Sequence, residues 1–175
     1  MEAVKDNLIF SLDAFPESGL SLDFVLAPSI LSPFLQPDPD LGINAEIPDL
    51  VTSMRGHLDL RLTGKRLWVQ GTFAVKTQMT CARCLTAFIG KVADNIDEVV
   101  ELGAPSGLGA AEEPETFIPT KDGFFDLTPL MGELFWLSWP IRALCRPECA
   151  GLCPHCGANL NEGACECQKA TITRH

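Results

Sequence analysis

The chain has 175 residues, of which 46% are apolar and eight are cysteine, and its formal net charge is −10. It is long enough to bury one core of ordinary size and too apolar to be disordered overall. With 13 Lys and Arg against 23 Asp and Glu it is a poor general binder of nucleic acid.

In chain order, Leu8, Phe10 and Leu12, then Leu20, Leu22, Phe24 and Leu26, predict two strands separated by the turn "FPESG". Pro28, Pro33, Pro37 and Pro39 interrupt "PSILSPFLQPDPDLG", so residues 28–40 read as a long loop or mobile flap. Leu58, Leu60 and Leu62 alternate with Asp59, Arg61 and Thr63. "TGKR" turns the chain, and Leu67, Val69, Phe73 and Val75 continue the alternation. This is an antiparallel hairpin with one buried face, and Trp68 falls on the other face. Gly71 within the strand marks a bulge or close packing. A third strand is expected from Leu85 to about Leu102, and "GAPSGLGAAEEPE" (103–115) reads as a flexible linker.

A turn at Asp122-Gly123 then leads to a helix. Thr128 is expected to cap it and Pro129 to occupy its first position. Leu130, Met131, Leu134, Phe135 and Leu137 form its apolar stripe, and Pro140 ends it. The stripe reads as core packing against the sheet rather than as a partner groove. The expected fold is α+β. Residues 1–140 form an antiparallel sheet, curled toward a barrel, packed with one main helix. Residues 141–175 form a cysteine-rich zinc knuckle.

"MEAVKDNLIF" lacks the basic and apolar regions of a secretory signal. The longest apolar stretch, Leu130 to Ile141, is too short to span a membrane and carries Glu133. The expected location is cytoplasmic, where clustered cysteines stay reduced and bind metal more often than they form disulfides. All eight fall in two places: Cys81 and Cys84 in "CARC", and Cys145, Cys149, Cys153, Cys156, Cys165 and Cys167 in "CRPECAGLCPHCGANLNEGACEC". A C-x2-C turn followed by glycine presents two sulfurs to one ion. Cys153, Cys156, Cys165 and Cys167 therefore make a compact four-thiolate zinc site. Cys81, Cys84, Cys145 and Cys149 make a second if the chain brings "CARC" near residue 145. The rival pairing joins Cys149 to the downstream group and leaves the others as free thiols. Such zinc, one ion or two, is structural, because four thiolates leave no open position for water.

Thioredoxin-type redox chemistry is the alternative for "CARC", with Arg83 lowering a thiol pKa, but the motif follows a hairpin strand rather than opening a helix. His155 lies inside a C-x2-C turn, His57 starts a strand and His175 is the last residue. None shows a serine or cysteine partner at a spacing that indicates nucleophilic catalysis. Asp97, Glu98 and Glu101, and Glu112, Glu113 and Glu115, read as solvated surface. No phosphate-binding glycine loop is present.

"CARCLTAF", "GFFDLTPLMGELFWLSWPIRALC" and "CAGLCPHCGANLNEGACEC", in that order, resemble the YceD family, the large ribosomal RNA subunit accumulation proteins. The likeness covers roughly residues 56–167. Where family members often continue into an Asp-Pro-Arg segment and a short helix, this chain reads "QKATITRH". The resemblance implies a non-enzymatic role in large-subunit ribosomal RNA accumulation or processing. It also implies two separable cysteine sites, because some members keep the first set and lack the second. Two zinc-thiolate centres take the net charge to about −14. The expected main contact is then a basic ribosomal or assembly protein on a large-subunit precursor. RNA contact is secondary, with no membrane and no small-molecule substrate. Lys65, Arg66, Arg83, Arg142 and Arg146 are the candidate RNA or partner contacts; the competing reading is that the arginines balance the thiolates. A thiol redox protein or a zinc buffer is the alternative function.

Overall fold

The computed structural model describes residues 4–35, 49–103 and 117–167. The alternating segments form β2 (Leu20–Leu26), β3 (Met54–Thr63), β4 (Arg66–Thr80) and β5 (Ala87–Leu102). They pair antiparallel in sequence order, and β6 (Phe117–Ile118) adds to β5 in parallel. The result is a curled, half-barrel sheet. Leu22, Phe24, Leu58, Leu60, Leu67, Val69, Phe73, Val75, Val92, Ile96 and Val100 are buried on its inner face, as the period of two requires.

Gly71 pairs with Leu58 without any break in the register, so it is no bulge. Its φ is +152°, and a Cβ there would overlap the His57 carbonyl oxygen. β3 and β4 approach closely because this position has no side chain.

β1 (Ile9–Ser11) does not join β2. It pairs with β8 (Phe124–Asp126), which pairs with β7 (Thr120–Lys121), in a separate three-stranded sheet. Phe10 stacks on Phe125 there at 5.4 Å between ring centres.

The proline-rich segment departs from expectation. Pro28–Leu31 is one helical turn, α1, and Ser32–Leu35 continues as a 3-10 turn, with Leu31 and Leu35 fully buried. Pro28 occupies the first turn, where a missing N–H costs nothing, so proline here starts a helix rather than preventing one. Residues 28–35 are therefore not a flap. The remainder of that expected flap, 36–40, and the expected linker after Gly103 lie outside the described residues.

α2 (Thr128–Leu137) covers the inner face with Leu130, Met131, Leu134 and Phe135. It also rests on the 3-10 turn: a Cβ on Gly132 would lie 2.8 Å from the Phe34 carbonyl oxygen. Thr128 is not the cap. The Asp126 carboxylate accepts hydrogen bonds from the Thr128 N–H at 2.8 Å and its hydroxyl at 2.6 Å. Asp126 thus takes the role expected of Thr128, and its charge suits the helix N-terminus. Leu137 is 80% exposed and falls off the stripe. The helix stops before Pro140, and the Ser138 N–H and hydroxyl both donate to the Leu134 carbonyl, at 3.0 and 2.8 Å. No helix among the described residues is long and apolar enough to cross a membrane.

Candidate metal centres

The structure brings the eight cysteines into two groups of four. Cys81, Cys84, Cys145 and Cys149 form one, here called the anchored centre because two of its residues lie in the turn between β4 and β5. Cys153, Cys156, Cys165 and Cys167 form the other, the knuckle centre. In each, the four sulfurs lie within 4.8 Å of one another. Cys81 Sγ lies 3.7 Å from Cys149 Sγ, and Cys84 Sγ 3.7 Å from Cys145 Sγ. The edge of a thiolate tetrahedron around zinc at ~2.3 Å is about 3.8 Å, so these separations suit a shared ion.

Two turns of the same form present the first pair of each group. The Leu85 N–H donates to the Cys81 carbonyl at 2.9 Å, and the Gly157 N–H donates to the Cys153 carbonyl at 2.9 Å. The Cys81 N–H bonds the Thr86 carbonyl and the Cys153 N–H bonds the Ala158 carbonyl. Both turns close on a left-handed residue, Leu85 at φ 57° and Gly157 at φ 72°. Glycine suits that conformation, whereas leucine adopts it at a cost of roughly 1 kcal/mol. The left-handed Leu85 is also why β5 begins at Ala87 rather than Leu85.

The backbone of each turn favours thiolate. The Cys145 N–H, with those of Cys84 and Arg83, brings the Cys81 thiol down to about 5. The Cys156 and His155 N–H groups bring Cys153 down to about 6. Cys84 is also lowered, first by the Thr86 hydroxyl and then by its N–H. Burial, reinforced by its thiol neighbours, pushes Cys145 up to about 12. Four adjacent thiols cannot all ionise without a cation, and a divalent ion reverses that repulsion. His155, in the turn, is exposed.

Arg83 and Arg146 are both engaged beside the anchored centre. Arg83 Nη1 donates to the Cys149 carbonyl at 3.0 Å and the Pro147 carbonyl at 3.4 Å. Arg146 Nη2 donates to Asn161 Oδ1 at 2.6 Å. Arg142 is exposed. Lys65 and Arg66 are exposed at the β3–β4 turn, the whole length of β4 away from "CARC", about 45 Å of chain path. The five basic candidates therefore do not make one patch.

Sequence reasoning missed Asn161. Its Oδ1 also accepts the Ala150 N–H at 2.9 Å, while its Nδ2 donates to Cys149 Sγ at 3.4 Å. A residue of the knuckle loop thus orients a ligand of the anchored centre. The Asn-x-Asn spacing of Asn159 and Asn161 was the available signal, since Asn159 Oδ1 accepts from both Asn161 nitrogens. Partners of this kind typically govern metal affinity by about 10–100-fold. Asn161→Ala is expected to weaken metal at the anchored centre by that factor in competition with a chelator, leaving the knuckle centre unchanged. Equal affinity in the variant would contradict the role.

Sequence reasoning also missed a cluster around His57. The β2–β3 register places Ser21 Oγ 3.0 Å from His57 Nε2, and Asp23 Oδ1 2.8 Å from Nδ1. Asp59 lies 3.5 Å from Nε2. The three partners are solvent-exposed on the sheet's outer face. The Asp23 hydrogen bond is the main cause of a His57 pKa raised above 6.5. The stabilisation from this pair is fully present below pH 6.5 and is lost as pH rises through the raised value. In an NMR titration the His57 midpoint is expected above 6.5, falling back in Asp23→Asn. A midpoint unmoved by that substitution would contradict the pairing.

A family model described as "Large ribosomal RNA subunit accumulation protein YceD" matches residues 69–174, which include all eight cysteines. The chain belongs to the YceD family. Among curated family relatives, an uncharacterized protein of Mycobacterium tuberculosis is 34% identical over 105 residues, covering 59% of this chain and 50% of the relative. One of Mycobacterium leprae is 30% identical over 106 residues, covering 59% and 48%. A Zea mays protein named large ribosomal RNA subunit accumulation protein YCED homolog 1, chloroplastic, is 34% identical over 55 residues, covering 31% and 19%. The chain spans about half the length of the mycobacterial relatives and less of the maize one. No solved structure matches it significantly. The family-model match runs to residue 174 and so includes most of the tail that the sequence reading sets apart from the family; residues 168–175 lie outside the described residues.

Proposed function

We propose that this YceD-family chain is a non-catalytic, zinc-bound factor for the accumulation of large-subunit ribosomal RNA, acting in the cytoplasm during ribosome assembly. The carrying observation is the pair of complete four-cysteine groups within the region matched by the family model. All-sulfur donor sets suit zinc, and a closed tetrahedron leaves no position for a substrate or an activated water. The metal's role is to hold residues 141–167 against the sheet. These residues supply the ligands Cys145 and Cys149, and the Ala143 carbonyl accepts the Ala82 N–H at 2.8 Å.

The charge of the chain supports a basic protein partner on a large-subunit precursor. Each loaded centre adds about two negative charges at the cysteine end, where Arg83 and Arg146 are already engaged. The reading is tested by sedimentation and by deletion. The protein should travel with large-subunit precursors, and its loss should lower large-subunit RNA. Normal ribosome profiles in the deletion strain would contradict it. A thiol enzyme would instead show one rapidly alkylated cysteine in the metal-loaded protein.

A further inference from the structure

The outer face of the large sheet differs in charge from the rest of the molecule. The strand register brings Arg55, Arg61, Arg66, Lys76 and Lys91 onto it, against Asp23, Asp59, Asp97 and Glu101. That is five basic side chains to four acidic ones, in a chain with 13 to 23. Among the described residues none of the five makes an ion pair; the ion pairs on this face are those of His57.

Lys76 and Lys91 stand directly opposite each other across β4 and β5. Like charges in that position destabilise a sheet. Both lysines are exposed, and the outward neighbours Ala74 and Ala93 leave the surface beside them flat.

The same face carries Trp68, half-buried, paired with Arg61 on one side and Val99 on the other. It borders an open cavity of about 550 Å³ whose lining includes Ser21, Asp59, Arg61, Thr63 and Gln70. That volume is in the range of small-ligand sites. An indole beside Arg61 and Arg66, neither of which makes an ion pair among the described residues, with Asp59 and the amide and hydroxyl groups of Gln70, Ser21 and Thr63 around the cavity, suits a polymer of planar bases on an anionic backbone. The aromatic ring takes a base, and the cations follow the phosphates.

We infer that the outer face of β2–β5 is a single-stranded RNA platform, with a base stacked at Trp68 and the backbone tracked by Arg61, Arg66, Lys76 and Lys91. The inference rests on the proposed role in ribosomal RNA accumulation and deepens it. The acidic body engages a protein, and this face is where the chain accepts RNA.

The test uses the full, zinc-loaded chain and a labelled oligouridylate of about ten nucleotides, within the site sizes of single-strand binders. Anisotropy should show binding that weakens with salt and is poorer for a duplex of the same length. Trp68→Ala should lose about tenfold or more in affinity. Trp68 faces away from the core, so circular dichroism and metal content should stay at wild-type values. Lys76→Gln with Lys91→Gln removes a repulsive pair, so it cannot lose binding by unfolding. It should reduce the salt slope by about 1.4, or 0.7 per phosphate contact.

Wild-type affinity in Trp68→Ala, no binding by the folded wild type, equal binding of duplex, or preference for anionic lipid vesicles would each overturn the inference. Co-sedimentation with precursors but no oligonucleotide binding would sink the platform and leave the assembly reading standing. Oligonucleotide binding with normal ribosomal RNA in the deletion strain would do the reverse.

Discussion

Replacing Cys81 and Cys84 together with serine is expected to release residues 141–167 from the sheet while leaving β2–β5 folded. The apolar contact between the two parts is small. Cys81, Cys84 and Cys149 form a buried cluster of their own, lined by the partly buried Phe88, Leu144 and Leu152. The backbone bonds from Ala82 to Ala143 and from Leu152 to Arg83 contribute about 1 kcal/mol each. A structural zinc contributes on the order of 10 kcal/mol, comparable to the stability of a whole domain. Without it, the remaining contacts do not offset the entropy of ordering the segment. Limited proteolysis should then cut between residues 141 and 152 and spare the sheet. The knuckle centre should keep its metal, because its four ligands lie within residues 153–167 and close on themselves. A double variant that resists proteolysis at those sites and retains full metal content would contradict this account.

Gly71→Ala is expected to destabilise the protein by roughly 3 kcal/mol or more. Its φ of +152° is a conformation L side chains rarely adopt, and the added methyl would meet the His57 carbonyl on β3. That obstacle is backbone held in a ladder, so no rotamer change relieves it. Gly64 is the internal control. It also has positive φ, +60°, but nothing lies within 4 Å of a Cβ there. Gly64→Ala should cost only about 1 kcal/mol, the conformational cost alone. Urea unfolding of the two variants separates close approach from conformation. Equal destabilisation would mean that β3 and β4 can part at Gly71 without cost.

The strands were readable because one face is buried and the leucines mark it. Leu58, Leu60, Leu67 and Val69 declare both the hairpin and its inner face. The proline-rich segment is not legible as helix, because proline usually breaks one, whereas Pro28 sits where a helix tolerates it and Leu31 and Leu35 supply a buried pair. Thr128 does not cap the helix, because its hydroxyl donates to the Asp126 carboxylate, which also accepts the Thr128 N–H two residues on. Cysteine spacing alone suggested the knuckle group, where all four residues are close in sequence. The anchored group spans from Cys81 to Cys149, and only the three-dimensional path brings those sulfurs together. Asn161, the Ser21–His57–Asp23 contacts and the Lys76–Lys91 pair share that property. Each is created by register or by loop closure between residues whose separation in sequence has no period.

The central proposal is that the two four-cysteine groups are independent zinc centres. Elemental analysis of the purified full chain, beside Cys153→Ser with Cys156→Ser, tests it most directly. The account predicts two zinc ions per wild-type chain and one in the variant, with the sheet's circular dichroism unchanged. One zinc in the wild type, or a variant that loses both ions together, would contradict it.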